Sequence, residues 1–282
     1  MKTRTQLFYE MAADGRSIED LLAVSERLAA RDQYYGTRDG SKFLVHAFTS
    51  LLPSENYKNI QRYIAEYELN HWRNRALLAF AKVGRSLEVN HLVSAHGTTR
   101  LLAEVKRKVP IVLLFAHYGP QRGVLQSVSD LSLSVTGIQQ TWGKSVNYPG
   151  VDLWQSSDDA GDAVKYFPLH AVSVLRENGI VMLALDGDLG SSSVSAPCFG
   201  RMISFRQGVF SIQKATKATV IPVYTRWSRE GFIETYFDQP LIQGDELTPA
   251  VAAGWLQNLI ADAPGNVRWP LLKRVMDSSY IR

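Results

Sequence analysis

The sequence predicts an α/β fold: a mixed, largely parallel central sheet flanked by helices, with an N-terminal helical extension. Three observations predict it. Residues 111–116 and 180–185 are apolar runs without alternation, the pattern of strands covered on both faces. From about residue 97 onward such runs alternate with stretches of helical spacing, which favours parallel strands joined by helical crossovers. Residues 1–95 show helical spacing and no strand pattern. A chain of 282 residues accommodates one large α/β body with such an extension. We therefore place a helical cap over residues 1–95, packed on an α/β domain spanning 96–282.

Each element has a local reason. Ser17-Ile-Glu-Asp20 reads as a capping box, with an acid three residues after a serine and an apolar run behind it. Leu77, Phe80 and Ala81 keep one helical face. Residues 99–108 read as a helix feeding the strand 111–116. Gly119 and Pro120 open the next helix, since proline suits a first turn, where its missing N–H costs nothing. A strand around 133–138 follows. Residues 139–162, rich in Gly, Ser, Asn and Asp, read as a long loop. The next helix ends near Asn178-Gly179, a C-cap pair, before the strand 180–185. A helix over 207–216 leads into a strand at 219–224, and 232–237 alternates as another strand. The last clear helix spans roughly 249–261.

Composition excludes several classes. Hydrophobic residues make up 45% and charged residues 21% of the chain, which argues against wholesale disorder. The single cysteine, Cys198, excludes an internal disulfide and a thiolate-built metal site. Beside Phe199 it reads as a packed residue rather than a nucleophile. A net charge of +4 suits an anionic surface, an acidic carrier or a phosphorylated substrate, but no nucleic-acid motif accompanies it. The N-terminal segment lacks the apolar core of a signal peptide, and no apolar stretch nears the ~20 residues a membrane helix requires. The expected location is cytoplasmic, with room for peripheral contact at the inner face of a membrane.

One histidine stands apart. His117 follows the run 111–116 directly, at the carboxyl end of a strand, where open α/β sheets place ligands and chemistry. Histidine suits proton transfer from a hydroxyl or amine near neutral pH. His46, His71, His91, His96 and His170 have no comparable setting. Serines 191–193 do not form a hydrolase elbow, and no phosphate-binding glycine loop is present.

Three blocks fall near the ends of predicted strands: His117-Tyr-Gly-Pro; Asp186-Gly-Asp188-Leu-Gly190; and Phe199-Gly200-Arg201-Met-Ile-Ser204-Phe-Arg206-Gln-Gly208, continuing to Ala218-Thr-Val-Ile-Pro222. In this order they resemble the lysophospholipid acyltransferase superfamily, most closely its late lipid A acyltransferase branch. The tail Pro264-Gly-Asn-Val-Arg-Trp269 is similar to that branch's ending, and the resemblance covers roughly residues 95–270. It implies transfer of a fatty acyl group from an acyl carrier protein or acyl-CoA thioester to a lipid or small-molecule acceptor. His117 would serve as general base, without a cofactor or metal. It also makes Arg201, Ser204, Arg206 and Gly208 candidates for contacting the acceptor's phosphate or the acyl carbonyl. A helix starting near Gln207 would aim free N–H groups at such an anion.

The sequence departs from the family at one position. The family's signature is His, four intervening residues, then Asp or Glu; counted from His117, the acidic position is Arg122 in this chain. Arginine cannot accept the hydrogen bond that orients a catalytic imidazole. Cations are also disfavoured in the first turn of a helix, so Arg122 joins the substrate-contacting candidates. Asp186 and Asp188 are the stand-ins for the missing acid, although Asp-Gly-Asp is equally good turn chemistry. Two alternatives stay open: a non-catalytic acyl-chain or partner-binding homologue, and a metal-dependent glycosyltransferase using Asp186 and Asp188.

Overall fold

The computed structural model describes residues 3–35, 38–140, 148–156, 161–187 and 192–277. The chain forms a seven-stranded sheet with helices on both faces and a helical N-terminal part, the expected class. Its strands are β1 (Val93–His96), β2 (Ile111–Phe115), β3 (Val135–Gln140), β4 (Val151–Ser156), β5 (Ile180–Ala184), β8 (Thr219–Trp227) and β9 (Ile233–Phe237). A separate hairpin is built from β6 (Ser193–Cys198) and β7 (Arg201–Arg206). The spatial order is β1-β9-β8-β2-β5-β3-β4, and only the β8–β9 pairing is antiparallel.

The centre of the sheet follows from β2. Its residues Ile111 to Leu114 are fully buried because neighbours cover both faces. Ile111 and Leu113 pack with α5 (Thr98–Lys106) and α6 (Arg122–Asp130) on one side. Val112 and Leu114 face the opposite core, built from α3 (Arg38–Leu51), α4 (Tyr57–Lys82), α7 (Gly161–Arg176), α8 (Gly208–Thr216), α9 (Pro249–Asp262) and α10 (Trp269–Asp277). A third cluster joins α1 (Arg4–Ala13), α2 (Ile18–Tyr35) and α4 to Trp227 and Ile233 of the sheet. The helical N-terminal part therefore shares its apolar interior with the body. Residues 93–95, counted with the cap by sequence, belong to the sheet through β1.

Local signals account for several element ends. At α2 the capping box forms, with Asp20 N–H donating to Ser17 Oγ at 3.2 Å and Ser17 N–H to Asp20 Oδ2 at 3.4 Å. After α7, Asn178 takes the left-handed conformation and Gly179 N–H reaches back to the Val174 carbonyl at 2.9 Å.

Three sequence expectations are corrected, and one element that the sequence left unread is added. The stretch 139–162 is not one loop: it carries β4, an edge strand whose low apolar density conceals it. The helix expected from Pro120 starts at Arg122, after a tight turn closed by Gly123 N–H to the Pro120 carbonyl at 2.9 Å. The helix over 249–261 is not the last, because α10 follows and buries Leu271, Leu272, Val275 and Met276. The block before Gln207 is a hairpin, turned by Phe199 and Gly200, both at positive φ, as a two-residue hairpin turn requires.

One buried arginine holds the N-terminal helices to the sheet. Arg73 of α4 is 2% exposed and donates to the carbonyls of Ser228 and Arg229 at 2.8 and 2.9 Å, gripping the β8–β9 turn. Among the described residues, no helix is long and apolar enough to cross a membrane.

Candidate active site

The site is set by strand register. β2 and β5 run parallel with Phe115 opposite Ala184, and Leu185 N–H extends the ladder to the Phe115 carbonyl at 2.7 Å. Two residues beyond that pair, each strand delivers a polar side chain to the same level: His117 from β2 and Asp186 from β5. They meet. Asp186 Oδ1 accepts from His117 backbone N–H at 2.9 Å and lies 3.1 Å from Nδ1, while Oδ2 lies 3.1 Å from the same backbone nitrogen. The Asp186 side chain is fully buried and the His117 side chain 29% exposed, so the carboxylate supports an imidazole that solvent can reach. Nδ1 donating to Asp186 leaves Nε2 as the ring nitrogen with a free lone pair.

The loop after His117 is over-determined. Tyr118 is 1% exposed, and its hydroxyl donates to the Ala263 carbonyl at 2.7 Å. Gly119 adopts φ +62°, and a Cβ there would run into the Thr225 carbonyl oxygen. Its N–H donates to the Asn266 carbonyl at 2.8 Å, and Arg268 N–H donates to the His117 carbonyl at 3.2 Å. The short turn Pro264–Asn266 is thereby wedged between the histidine loop and α4. There Asn70 Nδ2 donates to the Gly265 carbonyl at 3.0 Å, and Asn266 Oδ1 accepts from Trp227 N–H at 2.9 Å. The tail that carried part of the resemblance thus backs the histidine directly.

Arg122 does not share the carboxylate. Its Nη1 donates to Ser86 Oγ at 2.7 Å, on the turn Ser86–Leu92. Burial pushes its pKa down, opposed by nearby Tyr148, whose own pKa burial raises. An arginine at the start of a helix is tolerated here because its guanidinium leaves the helix end for that serine.

The other candidates are dispersed. Asp188 lies outside the described residues. Arg201 and Ser204 stay within the hairpin region: Arg201 Nη1 lies 3.7 Å from Met276 Sδ, and the Ser204 carbonyl accepts from Arg274 at 3.4 Å. Arg206 closes β7 with its Nε buried and without a partner among the described residues. Gly208 opens α8, whose N-cap Gln207 offers no side-chain cap. None of the four hydrogen-bonds to His117 or Asp186 among the described residues. Cys198 is 1% exposed, its thiol pushed up to about 12 by burial, which suits packing and not nucleophilic attack. Among the described residues, no three His, Cys, Asp or Glu side chains gather to hold a metal ion. A shallow hollow beside Tyr9 and Val83 lies on the α1 face and includes neither His117 nor Asp186.

Sequence reasoning missed Arg268, and Gln121, which could have hydrogen-bonded the ring, pairs with Arg268 instead. Arg268 Nη1 donates to Gln121 Oε1 at 3.2 Å, and Gln121 Nε2 leans toward the Ala116 carbonyl at 3.5 Å. Arg268 sits 151 positions after His117, so no local pattern could join them. The only signal was its place in the tail block.

Behind Arg268, α4 presents Tyr67, His71 and Arg75 at four-residue spacing, and each of the three interacts electrostatically with Arg268. Burial first, then Arg75, brings the His71 pKa down to about 4 from 6.5. The unfolded chain therefore takes this proton before the folded one does. The stabilisation from His71 is complete above about pH 6.5 and is lost as pH falls toward 4. Urea midpoints between pH 7 and pH 4.5 should fall less steeply in His71→Gln than in the wild type, by the uptake of about one proton.

Fold and site together define an α/β protein with a histidine–aspartate pair at the carboxyl ends of two adjacent parallel strands. No family model matches the chain, and no curated protein matches it.

Proposed function

We propose that this protein is an acyltransferase. It moves a fatty acyl group from an acyl carrier protein or acyl-CoA thioester to the hydroxyl or amine of a lipid or small-molecule acceptor. The observation that carries the reading is the Asp186 carboxylate held against both His117 backbone N–H and Nδ1. In this reaction Nε2 takes the acceptor's proton as its oxygen or nitrogen attacks the thioester carbonyl. Asp186 fixes the ring and stabilises the imidazolium that forms. The tetrahedral intermediate then collapses, the carbon–sulfur bond breaks, and the thiolate leaves with the proton returned from His117. A thioester is already activated, so the pair needs no metal to complete this cycle.

The partners of this reading are the carrier or coenzyme donor and the acceptor. Its location is the cytoplasm, with contact at the inner face of a membrane when the acceptor is a lipid. The test is purified protein incubated with acyl-CoA and acyl carrier thioesters and a panel of hydroxyl and amine acceptors. Free thiol release and product mass are followed together. Acylated product that disappears in His117→Ala is the expected result. Bound lipid without turnover in native mass spectrometry would favour the non-catalytic binding protein instead.

A further inference from the structure

We infer that Arg268 recognises an oxyanion, carboxylate or phosphate, on the molecule that enters the His117–Asp186 site. The inference deepens the acyltransferase reading and rests on it for the identity of that molecule. Three geometric facts carry it. The backbone of Arg268 is fixed to His117 itself, N–H to carbonyl at 3.2 Å, so its side chain leaves from the wall of the site. One corner of the guanidinium is held by Gln121 Oε1 at 3.2 Å, which orients the plane. No carboxylate lies within ion-pair distance of Arg268 among the described residues, and its Nε and Nη2 have no acceptor there.

Asp186 is the nearest candidate counter-ion, and it is already committed. Both of its oxygens serve His117, through the backbone N–H and the ring. Arg268 feels the Asp186 charge without touching it, while Arg75 on α4 adds a second positive charge nearby. A planar guanidinium with an open edge beside a base matches a carboxylate or phosphate, which it can bind through two parallel hydrogen bonds. Within acyl transfer, two sources offer that chemistry. One is an anionic group on the acceptor. The other is the phosphate of the pantetheine arm that carries the thioester.

The experiment separates the anion site from catalysis. Long-range proton–nitrogen NMR spectra of the His117 ring are recorded while inorganic phosphate or acetate is titrated into the wild type, Arg268→Lys and Arg268→Met. The wild type should show a saturable shift of the His117 ring nitrogens. Arg268→Met should weaken the apparent affinity about tenfold or more, and Arg268→Lys less. Thermal melts of both variants check that the histidine loop remains folded. An unchanged affinity in Arg268→Met, or ring nitrogens that do not respond to anion, overturns the assignment. This readout stands even if no turnover is found, so loss of the acyltransferase reading and loss of the anion site are distinct results. Where turnover is found, a raised KM in Arg268→Met for anionic acceptors alone assigns the acceptor. A raised KM for acyl-CoA but not for an acyl pantetheine without phosphate assigns the donor arm. A KM unchanged for both overturns the proposal.

Discussion

Asp186→Asn is expected to lower kcat/KM for acyl transfer by about 10²–10⁴-fold, or roughly 3–5 kcal/mol of transition-state stabilisation. The change is nearly isosteric, so the cost comes from hydrogen-bond polarity and charge. The two carboxylate oxygens of Asp186 accept only, and both face donors: His117 backbone N–H and, through Oδ1, ring Nδ1. An amide has one acceptor and one donor end. With its NH₂ in the Oδ1 position, Nδ1 must become an acceptor, and the ring proton moves to Nε2, the atom required as base. With its NH₂ in the Oδ2 position, it opposes the backbone N–H of His117. Neither orientation preserves the arrangement, and both remove the charge that stabilises the imidazolium. Steady-state kinetics of Asp186→Asn beside His117→Ala, with circular dichroism to confirm the fold, measure this. If Asp186→Asn retains wild-type kcat/KM while His117→Ala is inactive, Asp186 is a structural support of the loop and not part of the proton transfer.

The second large effect concerns the loop itself. Gly119→Ala should destabilise the protein by about 4 kcal/mol, summing the strain of a side chain at positive φ and the overpacking it forces. The residue stands at φ +62°, and the new methyl group would occupy the Thr225 carbonyl oxygen. That oxygen belongs to β8, so it cannot yield as a flexible side chain would. Relief requires the segment 117–119 to lift, breaking Gly119 N–H to Asn266 and straining the Arg268 link to His117. Urea denaturation of Gly119→Ala, with Gly15→Ala as a control at open space and similar φ, measures the difference. Gly15→Ala bears the backbone strain without the collision and should lose only about 1–2 kcal/mol. Equal losses in the two variants would mean that the loop moves freely away from β8.

Much of the scaffold was legible because its signals are local. The apolar runs of β2 and β5, the Ser17–Asp20 capping box and the Asn178 C-cap each depend on residues a few positions apart. The strands that escaped notice fail those local tests. β4 is an edge strand with polar alternate positions, β1 has four residues, and β6 contains Pro197, which in a two-stranded hairpin costs no central ladder bond. α10 is amphipathic and short, and its apolar face becomes meaningful only against the hairpin and the core beneath it.

The site divides in the same way. A histidine at the end of a buried strand, and two aspartates at the end of another, are features of sequence, since a strand's burial pattern fixes where it stops. That Asp186 meets the imidazole is a matter of register. It follows from β5 lying directly beside β2, with Phe115 level with Ala184. The destinations of Arg122 at Ser86 and of Arg268 beside His117 were equally beyond local reading. Sequence alone determined the elements and the residue types at their ends, because helix and strand propensity act over a few residues. Tertiary structure alone decided the partners, because a hydrogen bond spanning 69 or 151 positions depends on how the strands and crossovers stack.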